Sequence, residues 1–323
     1  MSSPTLSALV RTIRFEADGI ISIELCPAAE TVFPAFEAGA HIDIHLPDGL
    51  ARSYSLCNPQ TDRQRYVVAV LHDRQSRGGS RYLHQQLRVG MILPISAPRN
   101  HFRLDESAPR SVLVAGGIGV TPIWCMLQRL ASIQRPAQLV YCARNRKQAA
   151  FCEPIEALAA AHAVALTWHF DEERGGPPEL GALLAGRGAD SHYYCCGPAP
   201  MLNAFEAACQ NLGLPHTHLE RFAAAPAPAA QAMSQQSFVV ECARSGKTIE
   251  VPPGKSILDS LIDAGLQPGH SCKDGVCGAC ETPLLSGEAD HRDGILSKQE
   301  QAANKTMMIC VSRCKRGPLV LDI

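Results

Sequence analysis

Hydrophobic positions change rhythm three times along the chain. Up to about residue 105 they recur at every second place in short runs, SALVRTIRF, IISIEL, HIDIHL, SYSL and YVVAVL, parted by Gly, Pro and Asp. Period-two alternation gives each strand two unlike faces, and many short strands between turn residues predict an antiparallel barrel. From Ser111 the runs become continuous and alternate with helical patterns: SVLVAGGIG, PIWCMLQRLASI, AQLVYCARN, AFCEPIEALAAAH, VALTWHF, SHYYCCGP and MLNAFEAACQNLG. Strands that are apolar throughout are covered on both faces, so this segment predicts a parallel α/β sheet.

The third rhythm follows a break. AAAPAPAAQAMSQQ, residues 223–236, has no period and reads as a linker, semi-stiff through its prolines. Beyond it FVVEC and KTIEV predict two strands around a turn at Ser245-Gly246, and SILDSLIDAGL predicts a helix. Two strands, a helix and a cysteine-bearing loop within about 85 residues suggest a β-grasp module. The expected division is residues 1–105, 106–222, the linker at 223–236, and 237–323.

Composition narrows the partners. The formal net charge of the 323 residues is −1, so no bulk field recruits nucleic acid or a membrane surface. From Arg52 to Arg103 there are nine arginines against two acids, Asp62 and Asp73, which alone could mark a nucleic-acid surface, but the near-neutral whole argues against it. No run approaches the roughly 18 apolar residues of a membrane span, and the first residues lack a signal-peptide layout. Fourteen cysteines in so long a chain fit reduced thiols and a cytoplasmic setting better than a secreted disulfide scaffold.

Four of those cysteines carry the clearest chemistry. Cys272, Cys277, Cys280 and Cys310 stand at C-x4-C-x2-C-x29-C, the thiolate spacing of a plant-type [2Fe–2S] centre. Gly275 and Gly278 allow the tight turns such a loop needs. Structural zinc sites pair two short knuckles, whereas here three thiols crowd one loop and the fourth is remote. Cys314 competes with Cys310, and the apolar approach MMIC favours Cys310.

Upstream, Arg52, Tyr54 and Leu56 share one face of a strand pattern with Ser53 and Ser55 on the other, a surface suited to a flat polar ring system. Gly78, Gly79 and Ser80 open a helical pattern and leave N–H groups for a phosphate. Gly116, Gly117 and Gly119 form a strand-to-helix turn that is not the G-x-G-x-x-G fingerprint, since Pro122 takes its last place. It serves equally as a ligand approach or as a tight corner. Cys196-Gly197-Pro198 ends a buried strand where α/β sheets open a crevice, while Cys195 reads as core. A carboxylate in Asp171-Glu172-Glu173 could bond a ribose hydroxyl and repel a 2′-phosphate, or the three acids form a solvated loop, while Arg144, Arg146 and Lys147 could favour such a phosphate. His291-Arg292-Asp293 imitates a kinase tripeptide without the other kinase signatures and is expected on the surface of the C-terminal module or at its contact with the barrel domain.

In this order, R-x-Y-S-L, G-G-S, G-G-I-G-V-T-P, C-G-P and the four cysteines resemble the phthalate dioxygenase reductase family, to which vanillate demethylase reductases are similar. The resemblance spans essentially the whole chain. It implies a multi-domain fold: an antiparallel β-barrel flavin domain, a ferredoxin reductase-like α/β parallel-sheet nucleotide domain, and a C-terminal β-grasp [2Fe–2S] ferredoxin domain. It implies FMN, contacted by Arg52, Tyr54 and Ser55, with its phosphate at Gly78, Gly79 and Ser80. Val70, Leu71 and His72 would follow the ribityl chain, though some relatives have basic residues at the last two places. Thr121 and Phe222 would lie beside the ring. Gly116, Gly117 and Gly119 would approach the pyridine nucleotide, and Cys196, Gly197 and Pro198 the nicotinamide. Ser55, Thr121 and Cys196 are thus the expected catalytic residues. The implied activity is that of an electron-transfer reductase passing electrons from NADH through FMN and the cluster to a Rieske-type terminal oxygenase; a monomer is expected because the ferredoxin face must stay available for that partner. A cytochrome P450 or diiron hydroxylase as acceptor, or a non-enzymatic cluster- or zinc-binding module, are the alternatives.

Overall fold

The computed structural model describes residues 5–29, 32–74, 76–222 and 236–323. The predicted linker lies outside the described residues except for Gln236. The chain forms two compact units, one of Thr5–Phe222 and one of the chain beyond it.

In the first unit, β1 (Thr5–Ala17), β2 (Ile20–Pro27), β3 (His41–His45), β4 (Ala51–Ser55), β5 (Tyr66–Leu71) and β6 (Ile92–Ser96) pair antiparallel in the order β4-β3-β6-β1-β2-β5. A bridge between Leu56 and Val68 joins the two end strands, closing the barrel. The alternating residues Ile23, Leu25, Ile42, Ile44, Tyr66 and Val68 fill it and are fully buried. Helix α1 (Gly79–Gln85) caps the connection from β5 to β6, beginning slightly earlier than its apolar pattern suggests.

The same unit continues into β7 (Ser111–Gly116), α2 (Val120–Ser132), β8 (Ala137–Ala143), α3 (Cys152–Ala161), β9 (Ala165–Phe170), the short α4 (Asp171–Arg174) and α5 (Leu180–Leu184), β10 (His192–Cys196), α6 (Ala199–Asn211) and β11 (Thr217–Glu220). The strands are parallel in the order β11-β10-β7-β8-β9. Central β7 is buried at every residue, as its unbroken apolar run requires. The chain leaves β7 toward β8 and β9, then returns to the other side at β10. The ends of β7 and β10 therefore flank a topological switch point, the place where such sheets open a ligand crevice.

In the second unit, β12 (Phe238–Cys242), β13 (Lys247–Val251), α7 (Ile257–Asp263), β14 (Glu281–Asp290), α8 (Lys298–Ala303), β15 (Thr306–Met308) and β16 (Arg313–Leu321) build a mixed sheet in the order β13-β12-β16-β14-β15. Only the β12–β16 pairing is parallel. Val240, Ile257, Leu258, Leu261, Met307, Met308, Ile309 and Leu319 form its core. Ser256 caps α7 by accepting from the Asp259 N–H, so the helix starts one residue after SILDSLIDAGL does. No helix among the described residues is long and apolar enough to cross a membrane.

Candidate functional site

At the switch point two turns pack against each other. Gly119 stands where a Cβ would come within 2.2 Å of the Cys196 carbonyl oxygen, and a Cβ on Gly116 would meet Met201 Sδ at 2.4 Å. These two glycines let the β7–α2 turn and the β10–α6 turn touch. Gly117, with φ +53°, has nothing within 4 Å of its Cβ position and faces open space. Thr121 is buried, and its hydroxyl donates to the Ile118 carbonyl at 3.0 Å, closing the turn.

Cys196 ends β10 fully buried, and desolvation raises its thiol well above the ordinary range. Directly opposite it in the register stands Glu220, the last residue of β11. Glu220 Oε2 lies 4.0 Å from Cys196 Sγ and accepts from the Ser55 hydroxyl at 3.5 Å. Burial pushes its carboxyl up to about 8, so the acid is protonated at neutral pH. The ends of β4, β10 and β11 thus bring a hydroxyl, a thiol and a neutral carboxylic acid together, with Thr121 on the neighbouring turn. Sequence reasoning does not find Glu220, because T-H-L-E is too short and too polar to announce a strand.

Along β4, Arg52 abuts the start of α1. A Cβ on Gly79 would come within 2.5 Å of Arg52 Cγ, so only glycine allows this approach. The guanidinium donates to the carbonyls of Ala51 at 2.7 Å and Arg77 at 3.3 Å. Gly78, at φ +102°, precedes the helix, whose first turn has no side-chain cap. Ser80 accepts from the Asp73 N–H at 3.2 Å. Tyr54, between Arg52 and Ser55, keeps its phenol protonated because burial raises its pKa. The Val70 side chain belongs to the barrel core and its carbonyl accepts from His84 Nε2 at 2.9 Å, whereas Leu71 and His72 are exposed beside it. Phe222 is exposed just past Glu220, and Gly197 and Pro198 lead from Cys196 into α6.

In the second unit the four thiols come in two pairs. Cys272 neighbours Cys277, and Cys280 neighbours Cys310. The partner thiol of Cys277 lowers Cys272 to about 6, while Cys277 and Cys310 are raised. Backbone N–H groups of Asp274 and Cys272 point at the sulfurs of Cys272 and Cys277, at 3.3 and 3.5 Å. Lys273, Gly275 and Gly278 take left-handed backbone, and a Cβ on Gly275 would collide with Val311 at 2.6 Å. Two pairs suit two irons. A zinc ion needs its ligands around one point, and among the described residues no three His, Cys, Asp or Glu side chains converge that way. Ser271 Oγ, next in sequence to Cys272, is buried with no partner, which fits an acceptor sulfur supplied by a cluster. Cys314 lies in β16 opposite Ala289 and donates to the Gly317 carbonyl, so Cys310 is the thiol that joins the loop.

The tripeptide His291-Arg292-Asp293 departs from its expected surface position. The side chains of His291 and Asp293 are 7% and 0% exposed, because this segment packs against the Gly275 turn.

Comparison with known proteins now defines the class and then the family. Residues 113–207 match the oxidoreductase NAD-binding domain and residues 240–315 the 2Fe-2S iron-sulfur cluster binding domain, so this is a pyridine-nucleotide oxidoreductase with an iron–sulfur module. The chain is 46% identical to phenoxybenzoate dioxygenase subunit beta of Ectopseudomonas oleovorans, over 98% of this chain and 97% of that one. It is also 46% identical to tetrachlorobenzoquinone reductase of Sphingobium chlorophenolicum over the full length of both. The solved structure of phthalate dioxygenase reductase, a modular structure for electron transfer from pyridine nucleotides to [2Fe–2S], superposes with TM-score 0.70 at 35% identity, covering 99% of this chain and 98% of that one. The chain belongs to the phthalate dioxygenase reductase family, NAD(P)H-dependent flavin iron–sulfur oxidoreductases that use FMN and a plant-type [2Fe–2S] centre and serve as reductase components of oxygenase systems.

Proposed function

We propose that this reductase takes hydride from NADH at the Ser55–Cys196–Glu220 convergence and delivers electrons through Cys272, Cys277, Cys280 and Cys310 to a Rieske-type terminal oxygenase. When bound, FMN accepts the hydride and the [2Fe–2S] centre passes the electrons on singly. The observation that carries the reading is the meeting of Ser55, Cys196 and Glu220 at the switch point, the place where sheets of this kind receive ligands.

Each residue has a task in that reading. Ser55, Thr121 and Cys196 are buried and exclude water from the reacting face. Thiol and carboxyl are both uncharged at neutral pH, so hydride crosses a site free of a competing anion. No general base is needed, since positioning dominates hydride transfer. Arg52, Tyr54, Gly78, Gly79 and Ser80 would hold FMN, its phosphate at the uncapped start of α1, with Val70, Leu71 and His72 along the ribityl chain and Phe222 beside the ring. Gly117 offers the open approach to the nucleotide, with Gly116, Gly119, Gly197 and Pro198 shaping it.

Choice of NADH is supported by the end of β8 and β9. Arg146 is engaged by Glu156 and lies over Trp168 at 5.4 Å, so it is not free for a 2′-phosphate, and Glu172, which accepts from Asn145 at 3.0 Å, stands exposed at the end of β9. The divisions 1–105, 106–222 and 237–323 serve flavin, nucleotide and cluster respectively. A cytoplasmic setting is supported by the fourteen cysteines, none in a disulfide. A second reading, direct reduction of a quinone, is favoured by the equally similar tetrachlorobenzoquinone reductase.

The test is an absorbance spectrum of the purified protein with chromatography of the heat-released flavin, followed by a panel of acceptors. FMN, cluster bands bleached by NADH, and turnover confined to Rieske oxygenases are expected. Colourless protein ends the reading; faster turnover with a quinone than with any oxygenase transfers it to the second.

A further inference from the structure

The segment after β14 touches both stretches that bear cluster ligands. Gly275, between Cys272 and Cys277, packs so tightly on it that its Cβ would lie 3.3 Å from Asp293 Cα, and the Gly275 carbonyl accepts from the Gly294 N–H at 3.0 Å. On the other side the Arg292 N–H donates to the hydroxyl of Ser312, two residues beyond Cys310, at 3.3 Å. Three consecutive residues therefore clip the loop with three thiols to the strand start that follows the fourth.

Two buried side chains on this clip are electrically unusual. Asp293 Oδ2 accepts from the N–H groups of Ile295 and Leu296, at 3.2 and 2.8 Å, but Oδ1 has no partner. Both ring nitrogens of His291 are likewise buried without a partner, and the nearer one stands 3.8 Å from Asp293 Oδ1. The cations around them are committed elsewhere. Arg292 pairs with Asp290 at 2.6 Å, and Arg313 donates to the carbonyls of Lys255, Gln236 and Pro252. A carboxyl group kept out of water against the ligand loop, with an imidazole beside it, is weakly screened there. Burying such atoms is costly for a turn that Asn or Ser could close, so turn formation alone does not account for them.

We propose that Asp293 and His291 set the reduction potential of the iron–sulfur centre, acting as positioning residues through the Gly275 turn and through the polar groups they bury beside it. The carboxylate disfavours the added electron and lowers the potential; the imidazole moderates it. This gives opposite signs for the two residues, which a purely structural role does not.

The experiment is a redox titration of the cluster in the full-length holo protein, followed by electron paramagnetic resonance, with flavin content, cluster absorbance and thermal midpoint measured alongside. D293N keeps an amide oxygen for the Ile295 and Leu296 N–H groups while removing the charge, and its midpoint potential is expected to rise with the thermal midpoint unchanged. H291F is expected to shift the potential downward. If D293N fails to retain the cluster, H291F decides alone: a downward shift supports the pair, and an unmoved midpoint overturns it. Midpoints of both variants within scatter of the parent, or shifts of the same sign that track thermal destabilisation, also overturn it. A parent protein without cluster absorbance would instead refute the functional reading itself.

Discussion

The two places where this chain handles electrons are built in opposite ways. Three of the four cluster cysteines lie within residues 272–280, and the loop owes its shape to left-handed backbone at Lys273, Gly275 and Gly278. The proposed hydride site draws on the ends of three strands, with Ser55 and Glu220 separated by 165 positions. Its glycines also work differently: Gly119 has ordinary helical φ of −62° and is required because the Cys196 carbonyl occupies the space a side chain would need. A local loop encodes its chemistry in spacing, whereas a site assembled from distant strands encodes it in packing. The first should fail by loss of a ligand, the second by small displacements.

The largest effect should come from Cys277→Ser. It removes one thiolate from the Cys272–Cys277 pair, so NADH-dependent cytochrome c reduction is expected to be abolished while reduction of flavin by NADH in a single turnover persists. Loss of both steps in stopped-flow measurements would mean the two regions are not separately built.

Gly119→Ala attacks the other side of the comparison. Its Cβ would meet the Cys196 carbonyl oxygen at 2.2 Å and the carbonyl carbon at 2.4 Å, both backbone atoms that move only with their strand. Overpacking of this kind costs about 1–3 kcal/mol, and a misplacement of about 1 Å can slow a positioned reaction on the order of 100-fold. Slower flavin reduction with an intact cluster spectrum is expected. Gly117→Ala, strained in φ but meeting nothing, should do less; equal damage from both would refute the packing argument.

These contrasts also explain what the sequence discloses. Period two in the barrel, unbroken apolar runs at β7 and β8, and the cysteine spacing are local signals, and each leads to the element found. Cys196 is legible because Gly-Pro follows it at a strand end. Glu220 is not, since β11 is a four-residue edge strand, half-buried at each position and polar at most of them. The burial of His291 and Asp293 is equally hidden: in sequence they are polar residues before a glycine, and only their packing on Gly275 removes them from water. The side chain of Val70, expected by resemblance along the ribityl chain, lies in the barrel core, so strand register leaves only its backbone to face a ligand there.

Glu220→Gln tests the hydride site by pH. Burial raises the carboxyl from its ordinary 4.5 to about 8, so its neutral form contributes stability that is fully present below about 4.5 and is lost as pH rises through about 8. Denaturant unfolding of the parent should show this loss between about pH 4.5 and 8, on the order of a few kcal/mol by linkage, and the amide should flatten it. Flavin reduction by Glu220→Gln should slow as well, since the Ser55 bond changes character. A decline of equal slope in parent and variant across that window would show that Glu220 is not the buried acid described.

The smallest expected effect lies two residues earlier on the same strand. His218 stacks on Tyr194 at 4.5 Å, and its Nε2 lies 3.3 Å from His192 Nδ1. Burial lowers its pKa from 6.5 to about 4, with His192 adding to the shift. Here the neutral form is again the favoured one, but for a base the sign reverses: the stability is present above about 6.5 and is lost as pH falls toward about 4. His218→Phe keeps an aromatic face against Tyr194 and cannot titrate, so its unfolding free energy should decline less than the parent's across that window. The difference should be modest, because partial exposure screens the charge. Parallel declines in parent and variant between pH 6.5 and 4 would place the acid sensitivity of this unit elsewhere. A flattened acid limb in His218→Phe beside a flattened decline between pH 4.5 and 8 in Glu220→Gln would show that one edge strand, β11, carries two opposing pH dependences at the proposed hydride site.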